Sequence, residues 1–137
     1  MEKLIEFIGN HPFMMLAWAV SIALLLWNEK RRASKAVSPA IATKMINKED
    51  AVLVDVRPQK EWSTGHISGS IHIPLADFSN RISELNKFKS RPIIVICNLG
   101  QTASGAAKQL SAADFENVVR LQGGITEWKA QSLPVVK

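Results

Sequence analysis

The apolar positions of this chain fall into two regimes. Pro12 to Trp27 (PFMMLAWAVSIALLLW) is an uncharged run with a single hydroxyl. From residue 38 onward, short apolar runs alternate with segments of helical period. Ser38-Pro39 is a helix start, with Ser as cap and Pro at the first helical position, and Ile41, Met45 and Ile46 follow on one face. Residues 51–56 (AVLVDV) and Ile93–Ile96 have the continuous apolarity of buried parallel strands. Ile71–Ile73 and Val118–Leu121 are shorter strand candidates. Between them lie a helical turn in RPQKEW, an amphipathic helix carried by Leu75, Phe78, Ile82 and Leu85, a helix over Gln101–Ala113, and a last one over Ile125–Ala130. Strands that alternate with helices predict an α/β fold: a doubly wound, mostly parallel sheet with helices on both faces.

The first run is read differently. As one helix, Pro12–Trp27 spans roughly 24 Å at about 1.5 Å per residue, short of a hydrocarbon core of about 30 Å. Extending it back through LIEFIGNH makes up the length. The flanks fit a membrane span better than a cleaved leader, because Lys3 sits between two glutamates and the basic cluster follows the run. The expectation is one N-terminal transmembrane helix within residues 1–28, a basic juxtamembrane linker at 29–37, and a domain at 38–137. Lys30, Arg31, Arg32 and Lys35 are then held inside by the positive-inside rule. That places the chain in the inner (plasma) membrane as a single-pass protein, with the N-terminus outside and the domain cytoplasmic. Residues 12–27 meet lipid, and a membrane protein partner is compatible with this placement.

The net charge of +5 is unevenly spread. Residues 1–28 carry −1, residues 29–37 carry +3 and the remainder +3. A local cluster of this kind is not the basic stripe with groove-reading partners that nucleic-acid binding needs. His66 and His72 have no neighbouring Cys or carboxylate cluster, so no metal site is expected. No cofactor is implied.

The chain has one cysteine. It cannot form an internal disulfide, and a lone thiol suits a reducing compartment. Cys97 follows the strand Ile93–Ile96 and precedes NLGQT and a helix. Carboxyl ends of strands are where open parallel sheets bind ligands. Gly100 permits a positive φ, and a tight loop feeding a helix can aim successive N–H groups into one anion-binding concavity. Such a setting favours the thiolate and suits a nucleophile. A buried cysteine serving as a small hydrophobe remains the alternative.

VLVDVRPQKEWSTGHISGSIHIP, residues 52–74, resembles the first signature of rhodanese-like domains, with D-V-R, E-W, G-H-I and I-P in order. Cys97–Thr102 falls where that family keeps its active-site loop, and LQGGITEW (121–128) resembles its closing stretch. The resemblance covers about residues 38–137. With the apolar run it points to a single-span, membrane-anchored bacterial type. It implies a sulfurtransferase or sulfur carrier: Cys97 takes sulfane sulfur from thiosulfate or a persulfide donor, becomes a persulfide, and passes the sulfur to a thiol or other nucleophilic acceptor. By the same resemblance, Asn98, Leu99, Gly100, Gln101 and Thr102 form an amide cradle, with the Thr102 and Ser104 hydroxyls adding hydrogen bonds. The related phosphatases use a longer loop ending in an arginine, which is missing here.

Active members often carry Arg or Lys in the loop, whereas Asn98, Gln101 and Thr102 are neutral. Thiosulfate is therefore expected to be a poor donor. Asp55, Arg57 and Glu61 are expected to form a supporting ion-pair and capping network. His66 is expected to be a structural histidine, Trp62 and Trp128 to be core or rim aromatics, and Gly123-Gly124 a tight turn. Two rival readings stand beside the enzyme: a catalytically weak rhodanese-fold interaction module on a membrane anchor, and a redox sensor acting through Cys97 oxidation.

Overall fold

A computed structural model describes residues 1–32 and 35–137, without the side chains of residues 29–32. The expected roles of Lys30, Arg31 and Arg32 lie outside the described side chains. The chain divides into two units, Met1–Ala33 and Ser34–Lys137.

In the first unit, α1 (Glu2–Asn10) and α2 (Pro12–Arg32) replace the single helix expected over residues 1–28. Pro12 has no N–H to donate and its ring disfavours helical backbone at the residue before it. His11 accordingly leaves the helix, at φ −131° and ψ 58°. No single helix among the described residues is long and apolar enough to cross a membrane. Glu2–Asn10 and Pro12–Asn28 meet that requirement only together, bent by 92° at the break. Phe13, Met14, Leu16, Trp18, Leu24, Leu25 and Trp27 are all more than half exposed.

The second unit is built on five parallel strands: β1 (Lys35–Val37), β2 (Val52–Asp55), β3 (Ile71–His72), β4 (Ile93–Ile96) and β5 (Val118–Leu121). They are ordered β1-β5-β4-β2-β3. β2 and β4 are buried throughout, as continuous apolar runs in a sheet covered on both faces must be. One core places Val54, Val95 and Cys97 against Phe78, Ala103, Ala107 and Leu110. The other places Leu53, Ile94, Ile96 and Leu121 against Ala42, Met45, Ile125 and Trp128. The helices responsible are α5 (Phe78–Arg81) and α6 (Ala103–Ala112) on the first face, and α3 (Pro39–Glu49) and α7 (Gly124–Ala130) on the second. Ser38 caps α3, its Oγ accepting from the Ile41 N–H at 3.3 Å.

Two local expectations change. Lys35–Val37, inside the expected linker, forms the edge strand β1 by pairing with Val119–Leu121. The amphipathic helix expected from Leu75 to Leu85 is a short α5 flanked by 3₁₀ segments at Leu75–Asp77 and Ile82–Phe88. Asp77 (φ −102°, ψ 0°) and Arg81 (φ −110°, ψ 3°) break the regular path. Ser79 and Asn80 between them are weak helix formers, so burial of Phe78 and Leu85 sets the course instead.

β2 ends in a buried ion pair. Asp55 Oδ2 accepts from Arg57 Nη2 at 2.9 Å and Asp55 Oδ1 accepts from the Arg57 backbone N–H at 2.9 Å. Arg57 Nη2 also donates to the Gly65 carbonyl at 2.8 Å, tying the segment after α4 (Gln59–Trp62) to the strand end. Removing one partner of such a pair leaves the other buried and uncompensated. Asp55→Ala is therefore expected to cost about 3–5 kcal/mol of stability, read by chemical denaturation of the full chain. An unchanged midpoint would mean the pair does not hold this segment.

Candidate functional site

Cys97 directly continues β4 and is only 2% exposed. The loop after it is held by its carbonyls. The Cys97 carbonyl accepts from the Ile125 N–H at 2.8 Å. The Asn98 carbonyl accepts from the Thr126 N–H at 3.2 Å and the Thr126 hydroxyl at 2.8 Å. α7 thus docks its first turn on the cysteine loop.

That approach explains the glycine pair. A Cβ on Gly124 would lie 2.2 Å from the Cys97 carbonyl oxygen and 2.6 Å from that of Asn98, and its φ is +60°. Gly124 is therefore the seat of the cysteine loop, within the Gly123-Gly124 turn. Gly100, at φ +90°, is closed in by Leu121 O and Gly123 N, each 3.2 Å from where a Cβ would stand.

Gly100 donates its N–H to Cys97 Sγ at 2.9 Å. The amides of Asn98, Leu99, Gln101 and Thr102 donate to no other protein group among the described residues. Ordered N–H groups without acceptors, at the start of a helix, form a concavity that suits an anion or an electron-rich sulfur. Leu99, in this loop, is exposed. Thr102 stands at the helix start without a side-chain capping bond. The Ser104 hydroxyl donates back to the Gln101 carbonyl at 2.8 Å, so its proton is engaged within the loop.

The supporting residues divide. Glu61 reaches the loop: its Oε1 accepts from Asn98 Nδ2 at 3.2 Å. Arg57 is consumed by Asp55 and the Gly65 carbonyl. His66 bonds the Trp62 carbonyl through Nδ1 at 3.1 Å and stacks on the Trp62 indole at 3.6 Å between centroids. His72, given no role from sequence, also stacks on Trp62 and bonds the Arg57 carbonyl through Nε2 at 2.7 Å. No group of three His, Cys, Asp or Glu among the described residues is placed to hold a metal ion.

Sequence reasoning missed Arg120. It lies in β5 opposite Val95, two residues before Cys97, and its Nη1 donates to the Gly100 carbonyl at 3.0 Å. Its one signal in the sequence is a charge inside an apolar strand, where burial demands partners.

Comparison with known proteins places the chain. The family model described as Rhodanese-like domain matches residues 38–131. The uncharacterized protein YibN of Escherichia coli (strain K12) is 37% identical over 141 residues, covering 100% of this chain and 99% of that protein. A thiosulfate sulfurtransferase GlpE from Pseudoalteromonas translucida is 36% identical over 98 residues, covering 72% of this chain and 91% of that one. Among solved structures, a rhodanese-related protein from Thermoplasma volcanium superposes with a TM-score of 0.67 at 28% identity, covering 74% of this chain and 97% of that one.

The seat of the loop is testable by one methyl group. Gly124→Ala is expected to cost at least about 3 kcal/mol, from the left-handed backbone and the clash with two carbonyls, and to speed alkylation of Cys97. Gly105→Ala, in open space on α6, is expected to stabilise by up to about 1 kcal/mol. Thermal melts and iodoacetamide kinetics read both. Equal effects of the two substitutions would refute the docking argument.

Proposed function

The chain is a member of the rhodanese-like family, and from that premise we propose that it is a sulfurtransferase or sulfur carrier working through Cys97. The observation that carries the reading is the Gly100 N–H on Sγ beside uncommitted loop amides. The Cys97 thiolate attacks the outer sulfur of thiosulfate. A new S–S bond forms at Cys97, the S–S bond of the donor breaks, and its electron pair leaves with sulfite. An acceptor thiolate then attacks the outer sulfur of the Cys97 persulfide and regenerates the thiolate. No outside oxidant or reductant is needed. The loop amides bind the charge that moves onto the transferred sulfur, as fixed donors do where charge develops.

The loop side chains are neutral and offer thiosulfate no cation of their own, so a protein or low-molecular-weight persulfide is proposed as a donor beside it. The second reading is an interaction module with little activity. Burial of Cys97 at 2% exposure favours it.

The N-terminal unit is proposed as a membrane anchor. One fact supports this: the large apolar side chains exposed along α2. The anchor is the pair α1 and α2, which meet the length and apolarity of a span only together and are bent by 92° at the break. Residues 12–27 meet lipid, the domain faces the cytoplasm, and the N-terminus lies outside the inner membrane. A reporter fused after Lys137 is expected to behave as cytoplasmic; an extracytoplasmic signal would overturn the topology.

Intact mass of the full chain tests the chemistry. Treatment with thiosulfate, and separately with a persulfide donor, is expected to add one sulfur atom that reductant or cyanide removes and that Cys97→Ser abolishes. Gain with the persulfide donor alone means a carrier. No gain with either donor, on a folded chain with a titratable thiol, moves the assignment to the interaction module.

A further inference from the structure

The loop around Cys97 lacks a basic side chain, yet a cation stands beneath it. The burial of β5 alternates, with Val119 and Leu121 in the core of the α3 and α7 face. Val118 and Arg120 therefore project to the opposite face, the one that holds Val95 and Cys97. Arg120 is half-buried there. Its Nη1 is bonded to the Gly100 carbonyl at 3.0 Å, while its Nε–H is sealed from water with no acceptor among the described residues. No carboxylate lies at ion-pair distance from it among the described residues, whereas Arg57, the other basic residue near this sheet end, is neutralised by Asp55. A desolvated guanidinium without a counter-charge is costly. An arriving anion would offset that cost.

We propose that Arg120 is the anion-recognition residue of the Cys97 site, supplying from the sheet the positive charge that the loop side chains lack. It acts in two ways. Its charge raises the affinity for an anionic donor such as thiosulfate, in a partly desolvated position where screening by salt is weaker than at the surface. Its bond to the Gly100 carbonyl also fixes the next peptide plane, turning the Gln101 N–H to the side away from Arg120. The choice of thiosulfate as the anion rests on the sulfur-transfer reading; the electrostatic role does not.

The test separates the two. Full-length wild type, Arg120→Gln and Arg120→Lys are alkylated at Cys97 with iodoacetate, an anion, and with iodoacetamide, its neutral near-isostere, and followed by intact mass. The ratio of the two rates cancels the breathing needed to expose a buried thiol. It is expected to fall about five- to tenfold in Arg120→Gln and to recover in part in Arg120→Lys. The wild-type advantage should shrink as salt is added. For sulfur transfer, KM for dianionic thiosulfate is expected to rise more than KM for a monoanionic thiosulfonate, with kcat changed less. A purely structural arginine would alter both alkylation rates alike, and a ratio unmoved by Arg120→Gln overturns the proposal. Failure of the sulfur-transfer reading looks different: wild type gains no sulfur from any donor, while the alkylation ratio still reports the charge at Cys97.

Discussion

Three peptide planes hold the candidate site together. The carbonyls of Cys97, Asn98 and Gly100 are taken respectively by the Ile125 N–H, by Thr126 and by Arg120. The peptide bonds among the described residues are trans, and in a trans peptide the N–H points opposite to the C=O. Holding those carbonyls therefore turns the amides of Asn98, Leu99 and Gln101 to the opposite side of each plane. These are amides that spend their protons on no other protein group among the described residues. The cradle is thus built from behind. α7 and β5 satisfy the acceptors, and the donors are left without a protein partner among the described residues. Gly124 belongs to this arrangement because only a backbone without Cβ lets the first turn of α7 come so close to the Cys97 and Asn98 carbonyls.

Electrostatics follow the same division. A buried charge must be paired or must have a use. Arg57 is paired: Asp55 accepts from its backbone and side chain, and the result is a rigid corner between β2 and the segment reaching Gly65. Arg120 is not paired with a carboxylate among the described residues, and it touches the loop. Two arginines near one sheet end therefore have different physical roles, decided by the single acid at position 55. A phosphate-binding loop would present an arginine fork directly to its ligand. Here the cation is bonded to a loop carbonyl, and the apolar side chain of Leu99 is exposed in the same loop.

Much of this was legible in the sequence because it depends on local pattern. Continuous apolar runs marked β2 and β4, and the alternation with helices gave a parallel sheet. The position of Cys97 after a strand, with Gly100 and a helix start behind it, located the loop. What escaped depends on contacts between distant segments. The edge strand Lys35–Val37 exists because β5 offers it a partner, and three residues of linker composition carry no periodic signal of that. Gly123-Gly124 looks like any tight turn until Cys97 and Asn98 are brought against it. Arg120 is separated from the Gly100 carbonyl by twenty residues, and only the β4–β5 register brings them together. The helix expected over 75–85 failed for the converse reason: its apolar spacing was correct, but Ser79 and Asn80 did not sustain the backbone between the buried residues.

The N-terminal unit shows how one residue can redirect a hydropathy argument. Apolar content alone joins LIEFIGNH to the run that follows, and the summed length reaches the thickness of a bilayer. Pro12 removes a hydrogen-bond donor and constrains His11, and the path turns by 92°. Apolar residues on the two sides of such a corner do not add along one axis. α2 runs from Pro12 to Arg32, and its uncharged part, Pro12–Asn28, is about 26 Å at 1.5 Å per residue, short of a hydrocarbon core of about 30 Å. Neither helix alone is therefore long and apolar enough to cross. α1, carrying Glu2, Lys3 and Glu6 among its apolar residues, has the composition of a segment that lies at the interface rather than one that crosses it.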